Sequence, residues 1–313
     1  MNRRTFLHCA AGLAAASGWG DDPAPALRVV DAHTHFYDPR RKEGVPWPEK
    51  GSWLYRPVYP QDWLAVAAPF GARETVVIEA SVWLEDNAWV LDLAAKEPSI
   101  VGFVGHLLPH QGEFPAQLKR FAANPIFRGI RVNQTDFLQN VASSEFKKGA
   151  ALMADLGLTL DLNGPREMLA PAAALAADLP ALRIVIDHAG SAGDPSKLSK
   201  EWRELMARFE QRTNVFCKVS ALIEQTDEAA RHFGQAPRET AYYAPILDHL
   251  WNHFGSGRLV YGSNWPVSEK GGTYADQFKV VHEYFGAKGR EASERYFRTN
   301  SQAAYRWVER GGK

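Results

Sequence analysis

Two histidines separated by a single residue follow an apolar run near the start of the sequence. His33 and His35 come after Val29-Val30 and flank Thr34. On a β-strand, residues two apart point to the same face, so both imidazoles could reach one metal ion or one substrate oxygen. The alternative is a pair of structural histidines with satisfied hydrogen bonds. The strand-end position and the further candidates below favour a functional pair.

A third histidine ends a later apolar run. His188 follows Val185-Ile186-Asp187 in the sequence. If this run is also a strand ending at the same mouth, three imidazoles converge as a tri-histidine metal site requires, and zinc is the usual ion for such ligands. Taken alone, His188 could equally be a histidine of the core.

Charged and amide side chains occupy the ends of four more runs. Glu79 ends the second run, where a carboxylate needs a metal, an arginine or a proton. Arg131, in the fourth run, could bind a carboxylate or carbonyl with two hydrogen bonds, and an ion pair with Glu79 explains it equally well. Asn163 ends the fifth run and is a candidate for substrate binding. Lys218, in the seventh, is a candidate for orienting substrate or stabilising an oxyanion.

All these residues belong to a series of apolar runs that predict strands. Most of the runs are nearly continuous in apolar character, which is typical of parallel strands buried on both faces. The runs are Arg28–His35, Thr75–Ser81, Ile100–Leu107, Arg128–Asn133, Leu158–Asn163, Arg183–His188, Asn214–Ser220 and Arg258–Asn264.

Segments with helical spacing separate the predicted strands. They are Asn87–Lys96, Gln117–Ala123, Phe146–Leu156, Arg166–Ala177, Glu201–Gln211, Pro245–Phe254 and Ala292–Glu309. Strands and helices that alternate at intervals of about 30 residues indicate βαβ units, and a series of them predicts an α/β protein with a single (β/α)₈ TIM barrel. In such a barrel the active site lies at the carboxyl ends of the strands, so the Pro-, Trp- and Tyr-rich loop Phe36–Gln61 should lie over it.

The composition is that of an ordinary globular protein, with 313 residues of which 45% are hydrophobic and 23% charged. The sequence has 36 Lys and Arg residues and 36 Asp and Glu residues, so the formal net charge is zero. It also lacks the stripe of basic residues that binding to nucleic-acid phosphates normally requires. We therefore expect a small-molecule substrate and no nucleic-acid partner. The sequence leaves open whether the chain forms a homo-oligomer. Cys9 and Cys217 do not indicate a disulfide framework.

The first residues resemble an export signal. Arg3-Arg4 begins a cationic start of the twin-arginine type, and the apolar stretch Cys9–Ala16 is too short to span a bilayer of about 30 Å. We predict that residues 1–20 are a leader, that residues 27–313 form the barrel domain, and that the protein is exported to the periplasm. The alternatives are a Sec signal and a cytoplasmic chain with a disordered tail. No other window of the sequence predicts a membrane span.

Four motifs, in this order along the chain, resemble those of the amidohydrolase superfamily: Asp31-Ala32-His33-Thr34-His35, Asp187-His188-Ala189-Gly190, Cys217-Lys218-Val219-Ser220 and Gly262-Ser263-Asn264-Trp265-Pro266. The sequence is most similar to the amidohydrolase-related branch of sugar-lactone and pyrone-dicarboxylate lactonases, from Val29 to the carboxyl terminus. The resemblance implies hydrolysis of a sugar lactone or similar cyclic ester. It also implies that His33, His35 and His188 hold the substrate or one divalent ion, with zinc favoured. Some lactonases of the branch work without metal, and some decarboxylase relatives bind zinc through the same histidines.

One residue departs from the family pattern. The strand-eight aspartate, which in the family takes a proton from the attacking water, is Asn264 here. An asparagine cannot act as a general base near neutral pH, and losing a general base costs about 10²–10⁴ in rate. Three hypotheses follow. Glu79 or Asp161 has taken over the role, a metal-bound hydroxide needs less help, or the chain binds carbohydrate without turning it over.

The aromatic residues of the loops favour a sugar-type ligand. Flat rings stack on sugar faces, although such residues are more often packing residues. Among them we count Trp83 and Trp265 as substrate-binding candidates. Arg131 and Lys218 would suit a carboxylated lactone instead. The functional alternatives to a lactonase are a metal-dependent decarboxylase with the same histidine cluster and a non-catalytic carbohydrate-binding barrel.

Overall fold

Eight parallel strands follow one another around a barrel in sequence order, in a computed structural model that describes residues 27–310. The predicted (β/α)₈ barrel is confirmed, and every predicted strand is present. The strands are Val29–Thr34 (β1), Ala72–Ile78 (β2), Ile100–Gly105 (β3), Phe127–Asn133 (β4), Thr159–Asn163 (β5), Arg183–Ile186 (β6), Val215–Val219 (β7) and Leu259–Tyr261 (β8).

Helices lie between the strands and cover the outside of the barrel. Apolar residues from the strands and the inner helix faces form the core between these two layers. The α-helices of at least five residues are Pro60–Ala67, Asp86–Lys96, Phe114–Ala122, Gln134–Asn140, Ser144–Asp155, Leu169–Asp178, Lys200–Ala207, Asp227–Arg231, Thr240–Phe254, Tyr274–Ala287, Arg290–Glu294 and Asn300–Tyr305.

The helices Pro60–Ala67, Gln134–Asn140 and Asp227–Arg231 were not predicted, and two further differences lie toward the carboxyl terminus. The predicted helix Ala292–Glu309 is interrupted by a π-helical turn at Arg295–Thr299 and ends at Tyr305, after which Arg306 takes a left-handed conformation with φ of 50°. The 14-residue helix Tyr274–Ala287 was not predicted. Its start is marked in the sequence by a capping box, in which Thr273 and Asp276 satisfy each other's backbone N–H groups.

The barrel is closed between β1 and β8 by a few hydrogen bonds around three consecutive residues. The Asn264 backbone N–H donates to the carbonyl of His33 over 2.8 Å, and the His35 N–H donates to the carbonyl of Trp265 over 3.0 Å. The Asp31 carboxylate accepts from the Ser263 N–H over 2.8 Å. This side chain therefore acts as a substitute for a backbone acceptor at the joint.

The loop after β1 is fixed at its base and folds over the barrel mouth. Tyr37 and Val58 exchange backbone hydrogen bonds of 3.0 and 2.8 Å. Because its two ends are joined, the intervening loop is held where Pro46 and Trp47 can line the mouth. This is the position that the sequence predicted for the loop.

The predicted leader, residues 1–20, lies outside the described residues. Among the helices of residues 27–310, none combines the length and the apolar character that a bilayer crossing requires.

Candidate active site

A cavity of about 410 Å³ opens at the carboxyl ends of the strands. Its volume is in the range of small-molecule sites. Most of its polar side chains come from the last residue of a strand or from the few residues that follow, which is where a barrel positions its chemistry. The lining residues are His35, Pro46, Trp47, Glu79, Ala80, Ser81, Val82, His106, Arg131, Asn133, Asn163, His188, Asn264 and Val267.

The imidazoles of His35 and His188 line this cavity, and the buried ring of His33 lies beside both. The ring of His33 lies 5.0 Å from that of His35 and 4.6 Å from that of His188, measured between centroids. Burial lowers the pKa of His35 to about 3 and that of His188 to about 4. Because uncharged imidazole is the form that binds metals and accepts hydrogen bonds, both rings are ready for either role at neutral pH.

A group of three potential metal ligands lies among these residues, but it differs from the predicted set. His33, Asp187 and His188 each offer one ligand atom, and these atoms lie within 4.8 Å of one another. His35 is not in this group; its Nε2 lies 3.2 Å from Asn264 Oδ1 and its Nδ1 lies 3.0 Å from the carbonyl oxygen of Ile78. Asp187, which was not among the predicted site residues, completes this group, and the predicted set of His33, His35 and His188 stays a prediction.

The environment of His33 fits a metal ion. The ring is fully buried, and neither of its nitrogens has a hydrogen-bond partner among the described residues. An unpartnered buried nitrogen is costly, and coordination to a metal ion would satisfy it. His188 is already oriented from behind, because its Nδ1 lies 3.0 Å from Ser220 Oγ. Imidazole nitrogen and carboxylate oxygen are donors that zinc accepts.

A buried charge cluster lies beneath the histidines. Lys218 Nζ is 3.0 Å from Asp161 Oδ2 and 2.9 Å from Asp187 Oδ1, and all three side chains are fully buried. The Tyr305 hydroxyl donates to Asp161 Oδ2 over 2.7 Å. Burial raises the pKa of Asp161 to about 6, whereas Lys218 and His188, against the effect of burial, hold the pKa of Asp187 below its usual value.

Consequently, neither Lys218 nor Asp161 lines the cavity. The expectation that Lys218 orients substrate does not match its position, because its ammonium group forms ion pairs with Asp161 and Asp187 inside the barrel. Asp161 likewise lies outside the cavity lining, where its carboxylate contacts Lys218 and Tyr305. The physical reason is that a buried ammonium recruits counter-charges, which the sequence places on β5 and after β6.

Glu79 and Arg131 line the cavity and bind each other. Arg131 Nε donates to Glu79 Oε1 and its Nη2 donates to the backbone carbonyl of Glu79, both over 2.8 Å. Each side chain is about 12% exposed. The ion pair that explained Arg131 equally well at the level of sequence is therefore present. It also leaves both side chains at the cavity wall.

His106 is a cavity residue that sequence reasoning missed. It follows β3, and its backbone is held by Asn87, which accepts from the His106 N–H over 2.9 Å and donates to its carbonyl over 3.0 Å. The adjacent Gly105 allows this approach, because a Cβ there would collide with Asn87 Oδ1. The signal was available, since His106 lies near the end of the third apolar run as His188 ends the sixth.

The remaining candidates divide clearly. Asn163 and Asn264 line the cavity, as does Asn133 at the end of β4. Trp83 is 40% exposed and Trp265 only 2%, and neither lines the cavity. Trp265 is held in the joint between β1 and β8, so its ring packs in the core, and the aromatic ring at the mouth is that of Trp47, 5.8 Å from the ring of His35.

The backbone is strained where the site is built. His188, Ala189 and Asn264 have φ of 54°, 53° and 57°, in the left-handed region that residues other than glycine seldom adopt. Asparagine tolerates this conformation better than most residues. Such strain persists when surrounding contacts fix it, and it concentrates at functional sites.

Asn264 also has a carboxylate behind it. Its Nδ2 donates to Glu224 Oε1 over 2.8 Å, and Glu224 is buried in the segment after β7. Burial raises the pKa of Glu224 to about 7. Sequence reasoning missed this residue, because it lies in no strand and in no recognised motif.

Comparison with known proteins gives consistent results. The sequence profile of the Amidohydrolase family matches residues 30–307. An L-fucono-1,5-lactonase from Burkholderia ambifaria is 33% identical over 254 residues, covering 79% of this chain and 83% of that protein.

Solved structures share the fold. A zinc-bound amidohydrolase from Burkholderia multivorans superposes with a TM-score of 0.80 at 22% identity, covering 90% of this chain and 99% of that one. A probable 2-pyrone-4,6-dicarboxylic acid hydrolase from Acinetobacter baumannii, with citric acid bound, gives 0.70 at 16% identity, with 89% and 99% covered.

Proposed function

The chain belongs to the amidohydrolase family, and from this premise we propose that it is a hydrolase that opens a sugar lactone by attack of water on the ring carbonyl. The observation that carries the proposal is the polar lining of the cavity. Amides and imidazoles, at Asn133, Asn163, Asn264 and His106, offer hydrogen bonds to hydroxyl groups without adding net charge. Such a lining suits a neutral polyol ester.

The ion pair between Arg131 and Glu79 favours a sugar lactone over a carboxylated lactone as the substrate. Its Nε and Nη2 are already engaged by Glu79, so a substrate carboxylate that used the remaining N–H groups would lie beside the negative charge of Glu79. A carbonyl oxygen, in contrast, can accept from a guanidinium that keeps its partner. Positive charge beside the carbonyl would then stabilise the oxyanion that forms when water attacks.

Glu79 is the cavity-lining carboxylate that can receive a proton from water. Arg131 contacts its Oε1, and within residues 27–310 no hydrogen bond occupies Oε2. In the step we propose, Oε2 takes a proton from water as the carbon–oxygen bond forms, and the ring carbon–oxygen bond then breaks as that proton passes to the leaving oxygen. The product is a hydroxy acid, which ionises at neutral pH and releases one proton.

A divalent ion, with zinc favoured, would be held by His33, Asp187 and His188. When bound, zinc polarises a carbonyl and lowers the pKa of a bound water to about 7. The support is the unpartnered ring of His33 and the zinc-bound relative of the same fold. The alternative is metal-free hydrolysis, in which His35 and His188 contact the substrate directly.

The test is hydrolysis of L-fucono-1,5-lactone and other aldonolactones by the purified chain. The rate is measured as proton release near neutral pH. We expect turnover of at least one sugar lactone, and Glu79→Gln should lower kcat by about 10²–10⁴. The Asn264→Asp variant separates the enzyme from a carbohydrate-binding barrel. If only that variant hydrolyses a lactone, the natural chain is a binder and the proposal is wrong.

We also infer export to the periplasm, because the predicted leader carries the twin-arginine pattern at Arg3 and Arg4. The full chain should appear in the periplasmic fraction of expressing cells. The double variant Arg3→Lys, Arg4→Lys should stay inside, whereas a Sec substrate would still be exported. Retention of the natural chain in the cytoplasm would exclude export.

A further inference from the structure

The residue that replaces the family's base is held between two groups whose hydrogen bonds conflict. Asn264 Oδ1 lies 3.2 Å from His35 Nε2, and Asn264 Nδ2 donates to Glu224 Oε1 over 2.8 Å. On its other side, His35 Nδ1 lies 3.0 Å from the carbonyl oxygen of Ile78. A carbonyl oxygen only accepts, so Nδ1 carries the hydrogen of a neutral His35 and Nε2 is an acceptor. Two acceptors, Nε2 and Oδ1, then face each other.

A half-turn of the Asn264 carboxamide removes this conflict under one condition. Its oxygen and amino group have nearly the same size, so the turn needs no repacking. The amino group then donates to His35 Nε2, and the oxygen faces Glu224. Because that oxygen accepts, Glu224 must carry a proton and donate it. The orientation of Asn264 is thus tied to the protonation of Glu224.

The surroundings of Glu224 allow it to hold that proton. Its carboxyl group is buried, Oε2 makes no hydrogen bond within the described residues, and no ion pair there includes it. A buried carboxylate without a cation favours its neutral form. Among the described residues, two charged or titratable neighbours act on this carboxyl group. Lys270, after β8, lowers its pKa, and Tyr243 on helix Thr240–Phe254 donates its hydroxyl to Pro237.

We propose that Glu224 is a positioning residue for lactone hydrolysis, whose protonated carboxyl group turns the amino group of Asn264 toward His35 and the cavity. Loss of that proton draws the Asn264 amino group back to Glu224 and leaves its oxygen against the acceptor nitrogen of His35. This inference rests on the proposed function for its kinetic readout. The same pair explains how an asparagine can be accommodated where the family has an acid.

The kinetic test compares the natural chain with Glu224→Gln across the pH range around neutrality. Since burial raises the pKa of Glu224 to about 7, kcat/KM of the natural chain should fall about tenfold from about pH 6 to about pH 8. Glutamine keeps its amide hydrogens at every pH and can donate to Asn264 as the protonated acid does. In Glu224→Gln the rate should therefore change by less than about twofold over that range.

The matched control is Glu269→Gln, which removes a nearby carboxylate that pairs with Arg56 over 2.8 Å. Its pH profile should follow that of the natural chain. A purely structural role for Glu224 would change stability and leave the profiles parallel. Parallel profiles for the natural chain and Glu224→Gln would therefore overturn the proposal, as would a rate that rises with pH through the titration of Glu224.

Infrared difference spectroscopy gives a second readout that needs no turnover. The carbonyl band of an un-ionised buried carboxyl group should be present at about pH 6, decline through about pH 7, and be missing from Glu224→Gln but not from Glu269→Gln. If no lactone is hydrolysed, the proposed function fails and this titration still decides the inference. A Glu224 that is already ionised at about pH 6 would contradict it.

Discussion

Arg131 donates twice to Glu79, once to its carboxylate and once to its backbone carbonyl, each over 2.8 Å. The second bond ties the guanidinium to the main chain at the end of β2, so the side chain of Glu79 can change without removing every anchor of Arg131. The ionised carboxylate of Glu79 therefore compensates the positive charge that Arg131 brings to the cavity. The ligand charge that the cavity prefers should depend on this pair.

Replacing Glu79 with glutamine should let the site accept carboxylated ligands. The variant keeps the shape of the side chain but leaves Arg131 uncompensated, and a charged hydrogen bond of about 1.5–3 kcal/mol corresponds to about 10–100-fold in affinity. Binding of 2-pyrone-4,6-dicarboxylate, measured by calorimetry, should tighten by that factor. Glu85→Gln, which breaks an exposed pair with Arg120, is the control and should have no effect. Equal affinities in the two variants would contradict this explanation of selectivity.

Replacing Lys218 with methionine should strongly destabilise the fold. The substitution leaves Asp161 and Asp187 buried without their cation, and breaking a buried ion pair costs about 3–5 kcal/mol. Urea unfolding at neutral pH measures the free energy of unfolding. Lys147→Met removes an exposed pair with Asp178 and should cost about 1 kcal/mol or less. A similar loss in both variants would mean that the buried cluster is already neutral.

The stability of the metal-free protein should fall as the pH is lowered from about 6.5 toward about 4. Burial lowers the pKa of His188 to about 4 in the folded chain, whereas the unfolded chain binds that proton near pH 6.5. In this window the unfolded state holds more protons, so the free energy of unfolding rises with pH, by up to about 1.4 kcal/mol per unit for one histidine.

The measurement is urea unfolding at a series of pH values in the presence of a chelator. In His188→Gln, the slope of the free energy of unfolding against pH should fall in that window by an amount that corresponds to up to one bound proton. The control is His232→Gln, whose side chain is 63% exposed, and it should leave the slope unchanged. An unchanged slope in His188→Gln would show that this imidazole is not held neutral by burial.

Zinc binding should depend more strongly on Asp187 than on His35. Asp187→Asn removes one of the three grouped ligands, so affinity for zinc should fall by more than the 10–100-fold typical of losing an outer contact. In His35→Asn the three ligands remain, and the loss should stay within about 100-fold. His106→Asn, at the cavity wall, is the control, and competition with a chromogenic chelator measures each affinity. The reverse order would restore the ligand set implied by the family resemblance.

The sequence predicted the barrel because parallel strands buried on both faces leave a strong local signal. It also predicted most of the polar side chains of the cavity, since His35, Glu79, Arg131, Asn163, His188 and Asn264 all lie at or near the ends of such runs and the barrel brings these ends together. Position along a strand end, however, does not tell how deep a side chain lies. That is why Lys218 was expected at the mouth and is instead buried beneath the histidines.

Long-range partners were the part that the sequence could not supply. Asp187 differs from His188 by one position, but its role depends on Lys218 and His33 from other strands. Glu224 lies in an irregular segment with no periodic pattern, so only the packing of that segment against Asn264 reveals it. The broken last helix is a similar case, because its helical spacing gives no sign of the π-helical turn.

The joint between β1 and β8 makes the active site part of the barrel's closure. His33, His35 and Asn264 supply both the groups that would hold a ligand and the backbone bonds that join the first strand to the last. A ligand that bridges these residues therefore adds contacts between β1 and β8, which only a few hydrogen bonds join within the described residues. Ligand binding should slow amide hydrogen exchange at residues 263–265 and oppose separation of β1 from β8. The lactones that contact both strands should therefore raise the melting temperature most.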